Sequence, residues 1–220
     1  ENKRINQDIL ITPESLKGAK PGQVVVAEII EQPNKNSEPI GRVVEILGNY
    51  ADPGMEIEIA LRKHDLPHEF SLAARKQAGK LPATVTDRDR AGRVDITALP
   101  LVTIDGETAK DFDDAVYCER KGKGFRLIVA IADVSHYVKD GDPLDRDARE
   151  RGTSVYFPRR VIPMLPEALS NELCSLKPAV DRLCMVCDME VTAEGAIRKH
   201  RFYPAVMHSR ARLTYTQVWT

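Results

Sequence analysis

The chain has 220 residues, 42% of them hydrophobic and 30% charged, and its 32 Lys and Arg nearly balance 33 Asp and Glu for a formal net charge of −1. That is enough for one large domain or two small ones with a packed core, which excludes general disorder. No apolar run reaches the ~20 residues of a membrane span, the opening Glu1-Asn2-Lys3-Arg4-Ile5-Asn6-Gln7 lacks a secretory apolar stretch, and four cysteines are too few for a disulfide scaffold, so a cytoplasmic protein without membrane attachment is expected.

Residues 24–30 and 40–47 read as strands, separated by a loop marked by Pro33, Asn34, Asn36 and Pro39. The alternation of Glu56 and Glu58 with Ile57 and Ile59 predicts a third strand over Met55–Leu61. Short strands without a long helix predict a small barrel or sandwich over residues 1–70, with part of it absent. Only Tyr50 and Phe70 are aromatic there, so strong base stacking is not expected of it. Residues 71–92 read as a helix, near 68–78, and a linker. A second domain starts near residue 93.

In that domain, 115–119 and 125–132 predict a hairpin closed by Arg-Lys-Gly-Lys-Gly. Asp142-Pro143 predicts a helix start and Gly152 its end. A short helix is expected over 166–173, a second hairpin over 182–192 and 196–203, and a helix start at 216–219. Cys184-Met185-Val186-Cys187 has the outline of a zinc-binding or redox pair. In a strand, however, residues three apart face opposite ways, and buried apolar side chains are the better reading. His64, His68, His136, His200 and His208 form no ligand pattern.

Charge is segregated along the chain. Residues 105–114 hold Asp105, Glu107, Asp111, Asp113 and Asp114 against Lys110 alone, whereas 198–212 hold Arg198, Lys199, Arg201, Arg210 and Arg212 and no acid. Such a pairing suits a site where cations and a polyanion meet, with ordinary solvated charge as the alternative. Arg159 and Arg160 beside Pro158 are candidate phosphate contacts, with a solvated turn as the alternative.

The four aspartates lie among apolar residues, in Leu101–Ala115. An extended chain puts Asp111 and Asp113 on one face and Asp114 on the other, so all four converge only in an irregular loop, which Gly106 would permit. Two unit charges 4 Å apart repel by about 4 kcal/mol at an effective dielectric near 20. Convergence therefore calls for cations, and oxygen-only ligands select Mg²⁺ or Mn²⁺. A carboxylate-held ion pair is a device for phosphodiester hydrolysis. An EF-hand fails, because counting from Asp111 its sixth and twelfth positions are Val116 and Gly122. A solvated acidic loop remains open. So does an unrelated Asp-x-Glu exonuclease pair, Asp105 and Glu107, with His136 and Asp140 as later partners.

At this segment the chain resembles the ribonuclease II family. The resemblance is carried by Thr103-Ile104-Asp105 and Ala109-Lys110-Asp111-Phe112-Asp113-Asp114-Ala115, then Val129–Ser135, Gly152–Pro158, Ile162–Pro166, Leu169-Ser170-Asn171, Leu173–Leu176 and Ala211–Tyr215. It is specific over 93–219 and looser over 8–70, which is similar to part of a cold-shock domain. The resemblance implies an incomplete OB/cold-shock-like barrel followed by the first part of an α+β catalytic domain. It also implies a monomeric, Mg²⁺-dependent, processive 3′→5′ exoribonuclease that acts on single-stranded 3′ ends and, in its full-length form, on structured RNA, releasing nucleoside 5′-monophosphates. Carried over by position, Asp105, Asp111, Asp113 and Asp114 would be catalytic and metal-binding. Asp113 would be nearest the chemical step, and Asp105 and Asp114 the firmest ligands. Tyr156 would stack on the terminal base, with a core strand tyrosine as the alternative. A non-catalytic RNA-binding module is the second functional expectation. No residue is singled out for the 2′-hydroxyl contact that separates RNA from DNA.

Overall fold

The computed structural model describes residues 8–34 and 37–220. Residues 1–7, which lack a secretory stretch, and Asn36 of the expected loop lie outside them. The chain divides into two compact units, 1–68 and 69–220.

In the first unit, β1 (Leu10–Ile11), β2 (Gln23–Glu31) and β3 (Ile40–Asn49) form a sheet in the order β1-β3-β2, with β1 parallel and β2 antiparallel to β3. Gly41 makes this close pairing possible: a Cβ there would come within 2.7 Å of Ile9 Cγ2 and 3.1 Å of the Glu28 carbonyl. The sheet is open, and no closed barrel forms among the described residues. The third strand expected over Met55–Leu61 is instead helix α1 (Met55–Lys63). The Glu/Ile alternation spans too few residues to fix a period of two. Glu56 and Glu58 fall in the first turn and Arg62 and Lys63 in the last, which suits a helix dipole, and Glu58 pairs with Arg62 one turn on. Met55, Ile57 and Leu61 are its buried residues.

The second unit opens with α2 (Leu72–Ala78) and α3 (Asp87–Arg90), so the stretch expected to be a helix and linker belongs to this body. Then come β4 (Val94–Asp95), β5 (Val102–Asp105), β6 (Asp114–Lys121), β7 (Gly124–Ala132), α4 (Pro143–Arg151), β8 (Val155–Phe157) and β9 (Arg160–Ile162). A π-helical turn (Ala168–Leu173), β10 (Asp181–Val191), β11 (Ile197–His208), β12 (Ala211–Thr214) and α5 (Tyr215–Trp219) complete it. Seven strands form one mixed sheet in the order β12-β5-β6-β7-β10-β11-β4, and β8 and β9 pair separately.

The sheet explains where the core lies. Ala115, Ala130 and Val186 stand level across β6, β7 and β10, fully or almost fully buried, with Leu144, Leu169 and Leu173 in the same core. The neighbouring rows point the other way, and there Ile131, Met185 and Phe202 are 47%, 40% and 69% exposed. Helix α4 is capped as its sequence predicts: the Asp142 carboxylate accepts from Asp145 N at 2.8 Å, and Gly152 ends it at φ 71°. Gln77 on α2 ties to α4 by donating to Asp142 at 2.6 Å and accepting from Leu144 N. Among the described residues no helix is long and apolar enough to cross a membrane.

Candidate active site

Antiparallel pairing of β5 with β6, registered by Val102 opposite Val116, brings the end of β5 level with the start of β6. Asp105 is the last residue of β5 and Asp114 the first of β6, and the irregular stretch between them carries Asp111 and Asp113. The expected loop is therefore present, although Gly106 does not need its freedom: it is not among the glycines with positive φ, and a Cβ there would meet open space.

The loop is held on both sides. Phe112 is buried, its N–H donates to Ser175 Oγ at 3.0 Å, and its carbonyl accepts from Leu176 N at 2.8 Å. Ser175 Oγ also donates to the Lys110 carbonyl at 3.1 Å. Opposite ends of the loop meet Arg212, which donates to the Gly106 and Glu107 carbonyls at 3.2 and 2.6 Å and lies 5.1 Å from the Phe112 ring centroid. Ala132 N donates to the Asp113 carbonyl at 2.8 Å, joining the loop to β7. Ser175 and Arg212 are the residues that sequence reasoning did not single out. A buried serine inside the apolar Leu173–Leu176 run was the available signal for one, and the acid-free basic stretch for the other. That stretch is not one patch, since Arg201 pairs with Asp188 at 2.9 Å while Arg212 serves the loop.

The four aspartates share one electrostatic neighbourhood. Burial pushes the Asp105 pKa up, and Asp114, Asp111 and Asp113 push it further, opposed by Arg212. Asp113 keeps an accessible face, yet desolvation by the atoms packed around it, then Asp111 and Asp114, raise its pKa as well. Asp105 Oδ2 is buried with no hydrogen-bond partner. A carboxylate oxygen withdrawn from water and left unbonded is costly, and carboxylate oxygens are the kind of donor that a hard divalent cation selects. Among the described residues, no three His, Cys, Asp or Glu side chains are already arranged as a cage.

Two cavities adjoin the loop. One, of about 900 Å³, is lined by Lys110, Asp111, Tyr156, Arg159, Arg160 and Asn171 among others. The second, about 470 Å³, is lined by Asp111, Asp113 and Tyr156 and by apolar residues including Ile131 and Leu165. Tyr156, on β8, is 66% exposed and donates from its hydroxyl to Asp111 Oδ2 at 3.3 Å, so it is not the core tyrosine of the alternative reading. Arg159 and Arg160 stand exposed where β8 turns into β9. The structure thus brings Tyr156, Arg159, Arg160 and Asp111 to one cavity and Asp113 to its neighbour. The other exonuclease pairing dissolves: His136 Nε2 lies 2.9 Å from Asp89, Asp140 pairs with Arg149 on the surface, and Glu107 accepts from the Thr216 hydroxyl. Cys184 is buried and Cys187 half-buried on the opposite face of β10.

Fold and site define a mixed-sheet domain with a loop of four carboxylates between two strands, preceded by a small β-rich unit. A family model for the RNB domain matches residues 93–220, and one for a cold shock domain matches residues 1–71. The chain belongs to the RNB-domain family. It is 56% identical to ribonuclease R of Escherichia coli over 220 residues, all of this chain and 27% of that protein. The chain thus spans about a quarter of that relative's length. The solved structure of Mycoplasma genitalium RNase R in complex with double-stranded RNA superposes with a TM-score of 0.90 at 35% identity, covering 97% of this chain and 38% of that one. Yeast Ssd1, a pseudonuclease, shares the fold at 21% identity, with a TM-score of 0.72 over 96% of this chain and 28% of its own.

Proposed function

We propose that the chain is part of a processive 3′→5′ exoribonuclease that hydrolyses RNA to nucleoside 5′-monophosphates, acting as a cytoplasmic monomer. The carrying observation is the loop of Asp105, Asp111, Asp113 and Asp114, with one buried carboxylate oxygen left unbonded. Those four would hold Mg²⁺ or, in its place, Mn²⁺, with Asp105 and Asp114 the firmest ligands. When bound, the cation would supply charge neutralisation and polarise the phosphodiester for attack by water. The remaining work belongs to the chain's own side chains. Tyr156 offers a flat face to the terminal base regardless of its identity, a contact worth ~1–3 kcal/mol. Arg159 and Arg160 meet the phosphates of the entering strand. Ser175 and Arg212 hold the loop in register, so that Asp113 stays beside the scissile group. Single-stranded 3′ ends are the substrate of this site, and structured RNA that of the full-length enzyme. The similarity to ribonuclease R and the RNB match support this reading.

The test is release of nucleoside monophosphate from a 3′-tailed RNA with and without Mg²⁺. Asp113→Asn should lower turnover at least ~100-fold, the scale of losing one transition-state stabiliser; unchanged turnover would refute the assignment. A second reading, an RNA-binding module without turnover, is favoured by the absence of a ready-made carboxylate cage among the described residues. Retention of RNA in a gel shift with no monophosphate released would select it.

A further inference from the structure

The 900 Å³ cavity holds a group that the charge argument leaves unused. Its cations, Lys110, Arg159 and Arg160, suit phosphate. Asn171 lines the same cavity but is neutral. It is carried on the π-helical turn, whose Leu169 and Cys174 N–H groups donate to the Pro166 and Leu169 carbonyls, both at 2.8 Å, while Leu169, Leu173 and Cys174 are buried. Such turns are uncommon and frequent at functional sites. Burying those three leaves Ser170 and Asn171 half-buried on the cavity wall. The one side-chain hydrogen bond that Asn171 makes among the described residues is a long one, accepted by its Oδ1 from Ser170 Oγ at 3.4 Å. Its amide N–H donors are unspent.

We propose that Asn171 is a specificity-determining residue that reads the ribose 2′-hydroxyl of the nucleotide lying against Tyr156. The assignment rests on the cavity being the RNA site. A carboxamide both donates and accepts, as a hydroxyl does, and the 2′-hydroxyl is the feature that distinguishes RNA from DNA at a given site. A phosphate would demand cations, and three already line the cavity.

The test is equilibrium binding of the 220-residue chain, in metal-free buffer, to a short oligoribonucleotide and to its deoxy counterpart. The unaltered chain should prefer RNA by roughly three- to tenfold, the worth of one hydrogen bond. Asn171→Ala should erase that ratio by weakening RNA alone, and Asn171→Leu, which keeps the volume and loses the amide, should do the same. Arg159→Ala should weaken both oligonucleotides together and preserve the ratio. An unchanged ratio in both Asn171 variants overturns the inference while leaving the RNA site standing. Failure of the unaltered chain to bind either oligonucleotide overturns the reading of the cavity itself, and the inference with it.

Discussion

Ser175 shows how much a single hydroxyl does here. It accepts from Phe112 N and donates to Lys110 O, bridging both sides of Asp111 from a fully buried position. Ser175→Ala should leave a buried N–H unbonded and cost about 1–3 kcal/mol in chemical denaturation. The aspartates make a pH prediction of definite sign. Asp105 and Asp113 have pKa values raised on folding, so the native state holds their protons more tightly than the unfolded chain. Their contribution to stability is greatest at low pH and falls as pH rises from the ordinary carboxylate range through the raised values. Asp105→Asn should remove part of that fall, measured by unfolding in EDTA across pH 4–7. Asp188 has the opposite sign. Hydrogen bonds from Arg126, then Arg201, hold it far below the carboxylate range, so its stabilisation is present above pH ~4 and lost as the medium is acidified. Asp188→Asn should cost about 1–3 kcal/mol at neutral pH, a difference that shrinks steadily as the pH falls below ~4.

At the scale of elements, boundaries set by backbone chemistry were legible in the sequence. Asp142, Pro143 and Gly152 marked α4 at both ends, and the hairpin of β6 and β7 followed from its Gly-containing turn and flanking apolar runs. Met55–Leu61 was not legible as a helix, because period two and period 3.6 cannot be told apart over two Glu/Ile repeats; dipole-compatible charges were the signal that mattered. The π-helical turn was visible only as a helix, since one extra residue per turn leaves no mark in composition. The site was legible in part. Aspartates beside apolar residues predicted a loop between strands, but Ser175 and Arg212 act from 63 and about 100 residues away, and only tertiary pairing brings them there. Gly41 gives this scale its prediction. Gly41→Ala would force the side chains of Ile9 and Ile11 aside, and should destabilise the first unit by about 1–3 kcal/mol in a thermal melt.

For the whole molecule, a net charge of −1 means that the nucleic-acid affinity proposed above would have to come from local cations and not from overall attraction. On that proposal Lys110, Arg159 and Arg160, which line the larger cavity, would make about three phosphate contacts. For a single strand, each contributes about 0.7 to the slope of log K against log salt, so a slope near −2 is expected from titrations at rising KCl. A slope several times steeper would place further cations on the strand.

The outward rows of the large sheet have a consequence for the thiols. Cys118 and Cys187 stand level with Leu127 and Val129 on the same side as Ile131 and Met185, whereas Cys184 points into the packed interior, as does Cys174 from beyond the sheet. Burial pushes the Cys174 and Cys184 thiols up to about 12, so neither is nucleophilic at neutral pH. An alkylating reagent applied to the native chain should therefore modify Cys118 first and Cys187 more slowly. Cys174 and Cys184 should react only on unfolding, giving four chemical reporters that tell the two sides of one sheet apart.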